Sequence, residues 1–115
     1  MIIIRKQKKR KGLIYCITNR INGKMYIGQT CNPLSVRRRQ HIDTAQKGGH
    51  MSISCAIRKY GVENFTWKIL EDGIPLHDLN RTEELYIDLF DTYNEGYNST
   101  LGGDNPRLEE YEEHS

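Results

Sequence analysis

The amino-acid sequence predicts an α+β fold, a small three-stranded antiparallel sheet flanked by helices in the chain order ββααβα. Three observations predict it. Two runs rich in β-branched and aromatic residues flank an Asn-Gly pair, the pattern of a β-hairpin. Two segments with apolar residues at helical spacing follow, each ended by glycine. A third alternating run then precedes a long amphipathic stretch.

The elements follow in order. Leu13-Ile14-Tyr15-Cys16-Ile17-Thr18 reads as the first strand, Asn19-Arg20-Ile21-Asn22-Gly23 as the turn, and Lys24-Met25-Tyr26-Ile27-Gly28 as the returning strand. Both faces of this hairpin are largely apolar, so other elements should cover both. A turn centred between Arg20 and Ile21 sets Tyr15 opposite Tyr26; a turn centred on Asn22-Gly23 pairs the strands differently. Asn32 is placed to cap a helix with Pro33 at its first position, and Gly48-Gly49 would end it. Leu34, Ile42 and Ala45 fall on one stripe of that helix, with Arg37, Arg38 and His41 on or beside it. A second helix fits Ser52 to Tyr60, with Ile53, Ala56, Ile57 and Tyr60 facing inward and Gly61 stopping it. Phe65 to Leu70 reads as the third strand, and Pro75 opens a helix running to about Asp91. The Gly- and Asn-rich stretch from 95 to 105 reads as loop.

With 115 residues, the chain has the length of one domain. The division is a basic N-terminal arm over 1–11, a domain over 12–105 and an acidic tail over 106–115. No apolar run approaches the roughly 18 residues needed to span a bilayer, and Met1-Ile2-Ile3-Ile4 is too short for a secretory signal. Cys16, Cys31 and Cys55 form no CxxC pair and no disulfide framework, and no Cys or His pair has zinc-site spacing. An intracellular, cytoplasmic protein is expected.

Net charge is only +2, but it is unevenly distributed. Residues 1–60 carry fourteen Lys and Arg and one acid, Asp43, whereas residues 61–115 carry three basic groups and fourteen acids. Such asymmetry points to a polyanionic partner, although two solvated faces would also account for most of it.

Binary patterning singles out three polar groups. Glu83 interrupts the apolar stripe Leu76, Leu79, Tyr86, Ile87 and Phe90, where a carboxylate is costly unless paired, hydrogen-bonded or bound to metal. Arg37 and His41, four apart, share a helix face beside apolar positions. A guanidinium suits phosphate, and a histidine one turn away can orient or transfer a proton. Tyr15 and Tyr26 bring two phenols into the hairpin. A phenol titrating near pH 10 becomes a base only beside a positive charge, and Lys24 lies two residues before Tyr26 on the same strand face. Each group also has a plain structural reading: an ion pair, a coated helix, an aromatic cross-strand pair.

These residues resemble the GIY-YIG nuclease family, most closely the catalytic domains of phage and intron homing endonucleases. Tyr26-Ile27-Gly28 reproduces the second family triplet, and Leu13-Ile14-Tyr15 stands for the first, with its glycine displaced by one position to Gly12. Arg37 and His41 match an Arg-x-x-x-His on the first helix. His50 matches a further histidine of the homing branch, Glu83 the metal-binding glutamate, and Asn98 the closing asparagine followed by Gly102-Gly103-Asp104. The likeness covers roughly residues 12–105.

The resemblance implies a GIY-YIG fold and a Mg²⁺-dependent (or Mn²⁺-dependent) endonuclease hydrolysing phosphodiester bonds of double-stranded DNA, with one ion per active site. It implies that Glu83 holds the metal, that Tyr15 acts as general base, directly or through a water, with Lys24 lowering its pKa or positioning the nucleophile, and that Arg37 contacts the phosphoryl oxygens. His41 and Tyr26 would bond the tyrosine and water network, and Asn98 would tie the site together or contact phosphate. Gly28 would allow close approach of backbone to DNA, and Arg38 and His50 would add substrate contacts. A structure-selective repair nuclease, a restriction nuclease and a non-cleaving DNA-binding module are the rivals. No membrane partner is expected, and oligomeric state is not readable, though double-strand cleavage by one site needs two nicks or a transient dimer on DNA.

Overall fold

The computed structural model describes residues 10–103. Residues 1–9 of the expected basic arm, residues 104–105 and the acidic tail lie outside the described residues. The elements are β1 (Lys11–Asn19), β2 (Met25–Thr30), α1 (Leu34–Gln46), α2 (Ser52–Tyr60), a 3₁₀ turn (Val62–Asn64), β3 (Phe65–Pro75) and α3 (Leu76–Phe90). The strands form one antiparallel sheet in the order β2-β1-β3. The α+β order ββααβα therefore holds, with the 3₁₀ turn added before β3.

The central strand β1 is buried on both faces because helices cover both. On one face Leu13, Tyr15 and Ile17 pack with Ala45 of α1 and Ile53, Ala56 and Ile57 of α2. On the other, Ile14, Cys16 and Ile27 pack with Ile74, Leu76, Leu79 and Ile87, the last three from α3. The sheet is thus the middle of three layers. Alternation along β1 assigns each side chain to one core, and Tyr15 goes to the α1/α2 side. Gly12 has a packing reason for its displacement: a Cβ there would lie 2.5 Å from Leu79 Cδ2, so the missing side chain lets α3 lean on β1.

Differences from the sequence expectation are local. The hairpin register pairs Tyr15 with Gly28 and Ile17 with Tyr26, so the two tyrosines sit diagonally rather than directly opposite. Asn19 decides this: its Oδ1 accepts the Ile21 N–H at 2.9 Å while its backbone C=O accepts the Gly23 N–H at 2.8 Å. That arrangement centres the turn one position later than the Arg20–Ile21 alternative. Pro33, not Asn32, is the N-cap of α1, because the Asn32 backbone N–H is turned back onto Thr30 Oγ1 at 3.0 Å. β3 extends five residues beyond Leu70. It crosses two irregularities in its pairing with β1, between Gly12 and Ile14 and between Ile14 and Tyr15, each taking an extra β3 residue. Pro75 ends that strand and caps α3 instead of lying inside it. Phe90, assigned to the buried stripe, is 40% exposed.

The segment after α3 is not a loose loop. Asp91 closes the helix in the left-handed region at φ 51°, and Thr92 and Tyr97 are buried. The Tyr97 N–H donates to Met25 O at 2.8 Å, and its hydroxyl accepts from Asn19 Nδ2 at 3.0 Å and Asn22 Nδ2 at 3.2 Å. This stretch docks along the outer edge of β2 and protects an edge strand that would otherwise be open.

Candidate active site

The outer edge of β2 is also where the layers carrying α1 and α3 meet. A cavity of about 230 Å³ opens there, lined by Tyr26, Gln29, Arg37, Met51, Glu83, Ile87, Asn98, Ser99 and Thr100. Four residues singled out from the sequence reach it directly: Tyr26 from β2, Arg37 from α1, Glu83 from α3 and Asn98 from the docked segment.

Tyr15 and His41 stand behind this front row. Tyr15 is wholly buried, and its hydroxyl lies 2.7 Å from His41 Nε2. Arg37 Nε–H donates to the same hydroxyl at 3.1 Å, and Arg37 Nη1 donates to Gln40 Oε1 at 3.1 Å. An arginine cannot accept, so the phenol oxygen is the acceptor there, and we assign its own proton to the bond with His41. His41 is held by aromatic rings on three sides, Tyr15 at 5.7 Å, Tyr26 at 5.4 Å and Trp67 at 5.8 Å between centroids. Burial, with the Arg37 charge second, lowers its pKa from 6.5 to about 3. The imidazole is therefore neutral at neutral pH, as a proton acceptor must be.

Both phenols are held protonated. Burial is the first cause of the raised Tyr15 pKa, the Tyr26 phenol adds to it, and Arg37 opposes it. For Tyr26 burial again leads, Arg37 opposes, and the Glu83 carboxylate raises it further. Glu83 acts on both tyrosines through space, which places the acidic helix and the phenol pair in one electrostatic site. The Glu83 carboxylate is itself positioned, with Oε1 accepting the Gly103 N–H at 2.9 Å.

Asn98 acts as a backbone mimic. The Ile27 N–H donates to its Oδ1 at 2.8 Å, and its Nδ2 donates to Ile27 O at 2.8 Å. One side chain thereby satisfies both edge groups of a β2 residue and ties the segment after α3 to the strand edge.

Other residues marked in the sequence are not brought to the cavity. Lys24 precedes β2 in the exposed turn and is not among the charges acting on either phenol, so it does not lower the pKa of Tyr15. Gly28 is buried and offers no surface to DNA. A Cβ there would overlap the Tyr15 hydroxyl, so its role is to make room for that phenol. Arg38 is exposed, with its guanidinium 5.5 Å from the Trp67 ring centroid. His50 is exposed beside α2, and its neighbour Met51 lines the cavity instead. Patterning overlooked Gln29, Met51, Ser99, Thr100 and Gly103. Gln29 and Met51 lie at a strand edge and a helix cap, and the others in a loop, so no periodicity marks them. The hydroxyls of Ser99 and Thr100, one and two residues beyond Asn98, were the available signal.

The fold is that of a GIY-YIG catalytic domain. The family model of that name matches residues 11–98, and the chain belongs to the family. Among solved structures, the catalytic domain of homing endonuclease I-TevI superposes with a TM-score of 0.68 at 30% identity, covering 78% of this chain and 99% of that one. A glutamate-to-alanine variant of the I-TevI catalytic domain gives 0.70 at 28% identity, covering 78% and 94%. The MSV199 domain-containing protein 146R of Invertebrate iridescent virus 6 is 36% identical over 87 residues, 74% of this chain and 36% of that protein. The segD protein of Enterobacteria phage T4, assigned as an endonuclease, is 34% identical over 100 residues, 83% of this chain and 40% of that protein. The chain therefore spans well under half the length of these relatives. No helix among the described residues is long and apolar enough to cross a membrane.

Proposed function

We propose that the chain is a divalent-metal-dependent endonuclease domain that hydrolyses phosphodiester bonds of double-stranded DNA. The observation that carries the reading is the meeting of Arg37 and Glu83, from helices on opposite faces of the sheet, around a cavity that also holds the Tyr26 phenol. A guanidinium and a carboxylate at one cavity suit a phosphodiester, the first contacting it directly and the second through a cation.

The donor set fits Mg²⁺ or Mn²⁺. Among the described residues no group of three or more His, Cys, Asp and Glu is placed to hold a metal, so a zinc or calcium cage made of protein ligands is not on offer. A hard cation that keeps several waters and takes one carboxylate plus substrate phosphate oxygens needs only Glu83, among neighbours whose donors are oxygens and amides: Asn98, Ser99 and Thr100. When bound, such an ion supplies charge neutralisation at the phosphoryl group and the leaving oxygen.

The chain's own groups organise the rest. Arg37, anchored by Tyr15 and Gln40, faces the phosphate and stabilises the negative charge gathered in the transition state. Tyr26 is the phenol that meets the attacking water, since Tyr15 is wholly buried. As the water oxygen bonds to phosphorus and the bond to the leaving oxygen breaks, the water proton passes to Tyr26. The Tyr26 proton moves to Tyr15, and the Tyr15 proton moves to Nε2 of neutral His41. Both phenols end the step neutral, so their raised pKa values are no obstacle. Phosphate binding beside Arg37 offsets the positive charge that depresses His41 and makes the imidazole a better acceptor.

A supercoiled-plasmid nicking assay with and without Mg²⁺ tests this. Glu83→Ala and Arg37→Ala should each lose at least about a hundredfold in cleavage, in the range of removing one transition-state donor, while still binding duplex DNA. Wild-type cleavage by both variants in the presence of Mg²⁺ would refute the site. Binding without cleavage by the parent chain would instead support the non-cleaving rival, and comparison of branched with linear duplex separates a structure-selective enzyme from a homing-type one.

A further inference from the structure

The Gly102–Gly103 pair lies beyond the stretch matched by the family model, yet it reaches the Glu83 carboxylate. Its backbone is held in a conformation that only glycine adopts readily, with φ +93° at Gly102 and +73° at Gly103. The Gly102 N–H donates to Thr100 Oγ1 at 3.2 Å, which curls the loop, and the next N–H, from Gly103, is delivered to Glu83 Oε1 at 2.9 Å. The space adds a lesser conflict, because the atoms nearest a Cβ are mostly side-chain ends that can shift. A Cβ on Gly102 would sit 2.7 Å from Ile87 Cδ1 and 3.3 Å from Glu83 Oε1, and one on Gly103 would overlap the Glu84 carboxylate.

We propose that Gly103, through its backbone N–H and with Gly102 shaping the turn, is a positioning residue that orients the Glu83 carboxylate for the divalent cation. This rests on the active-site reading above and extends it. A carboxylate on a helix keeps rotational freedom about its last side-chain bond, whereas an N–H fixed by the main chain selects one orientation. Partners of this kind typically change metal affinity by roughly 10–100-fold when removed. The loop also begins at Asn98, which clamps Ile27 of β2, so the covalent path from Asn98 to Gly103 ties the sheet edge to the acidic helix. Ser99 and Thr100 line the cavity along that path.

The test separates orientation from folding. Replacing Gly103 by glycolic acid in the full chain turns the amide into an ester and deletes the N–H without adding an atom to the loop. Gly103→Ala and Gly102→Ala test the same point through dihedral and steric conflict, and the ester keeps the experiment decisive if either alanine variant does not fold. Mn²⁺ binding is read directly by electron paramagnetic resonance, alongside plasmid cleavage, duplex binding and thermal melting. The ester should raise the Mn²⁺ dissociation constant by at least about tenfold. Its cleavage should fall and be partly restored at high Mn²⁺, with duplex binding unchanged. Wild-type Mn²⁺ affinity in the ester chain, with or without a lower melting temperature, would overturn the proposal. Glu83→Ala run in parallel makes the two failures distinguishable: if it too keeps Mn²⁺ affinity and cleavage, the active-site reading itself has failed.

Discussion

His41 should make folding of this domain sensitive to acid. Its pKa is lowered from 6.5 to about 3, first by burial and then by Arg37. As pH falls, the unfolded chain takes up the proton at its ordinary pKa while the folded chain resists, so protonation pulls toward the unfolded state. The contribution to stability is fully present above pH 6.5 and is lost progressively down to about 3. Each unit within that window is worth about 1.4 kcal/mol, so acidification from about pH 6.5 to about 4.5 should remove about 2 kcal/mol through this one residue. For a domain of this size that corresponds to a drop of roughly 10 °C in melting temperature. Carboxylates titrate at the lower end of the range as well, so the informative quantity is a difference. Urea denaturation across the pH series should show His41→Gln less stable than the parent at pH 7 but flatter between about 6.5 and 4.5, by close to one proton. Equal slopes for parent and His41→Gln would refute the claim that a buried neutral imidazole supports the phenol pair.

Other substitutions probe neighbouring parts of the site. Asn98→Ala strands the N–H and C=O of Ile27 and should cost about 2 kcal/mol in chemical denaturation, with cleavage reduced because the β2 edge loosens. Gly28→Ala forces a methyl against the Tyr15 hydroxyl and should destabilise by about 1–3 kcal/mol; a neutral effect in thermal melting would mean the phenol has room to move. Tyr26→Phe removes the phenol at the cavity and should lower single-turnover cleavage by about 10²–10⁴-fold with little change in duplex binding. Equal rates for Tyr26→Phe and wild type would return the base role to another group.

The parts of this protein legible in its sequence were those governed by a repeating period. Apolar spacing on α2 and the extended run of β1 report burial directly, and both faces of β1 are covered as their composition required. Glu83 stood out because a carboxylate broke a helical stripe, and the stripe ends at the cavity. Tertiary hydrogen bonds carry no such signature. The hairpin register depended on Asn19 and the distant Tyr97 hydroxyl, 78 residues away, so the diagonal placement of Tyr15 and Tyr26 could not be read from the strands alone. The room that Gly28 makes for the Tyr15 hydroxyl follows from their pairing across the strands, which could not be read without that register. The segment after α3 looked like loop because its order comes from contacts to β2 rather than from any period of its own.

The charge asymmetry along the chain acquires a structural meaning from the three-layer arrangement. Among the described residues, most of the acids and bases sit on exposed faces, where solvation alone accounts for them. Arg37 and Glu83 differ because the sheet separates the helices that carry them, and the two can meet only by passing around an edge strand. β2 is that edge, and it is short, so α1 and α3 both overlook it. An uncovered edge would be a liability for aggregation. Covering it with a further strand would close the cavity between Arg37 and Glu83, where the proposed function places a phosphate. The Tyr97–Asn98 segment resolves the conflict by pairing with individual backbone groups of Met25 and Ile27 while leaving the space between Arg37 and Glu83 open. The docked segment thereby keeps one strand edge closed to other strands while the cavity beside it stays open, as the proposed function requires.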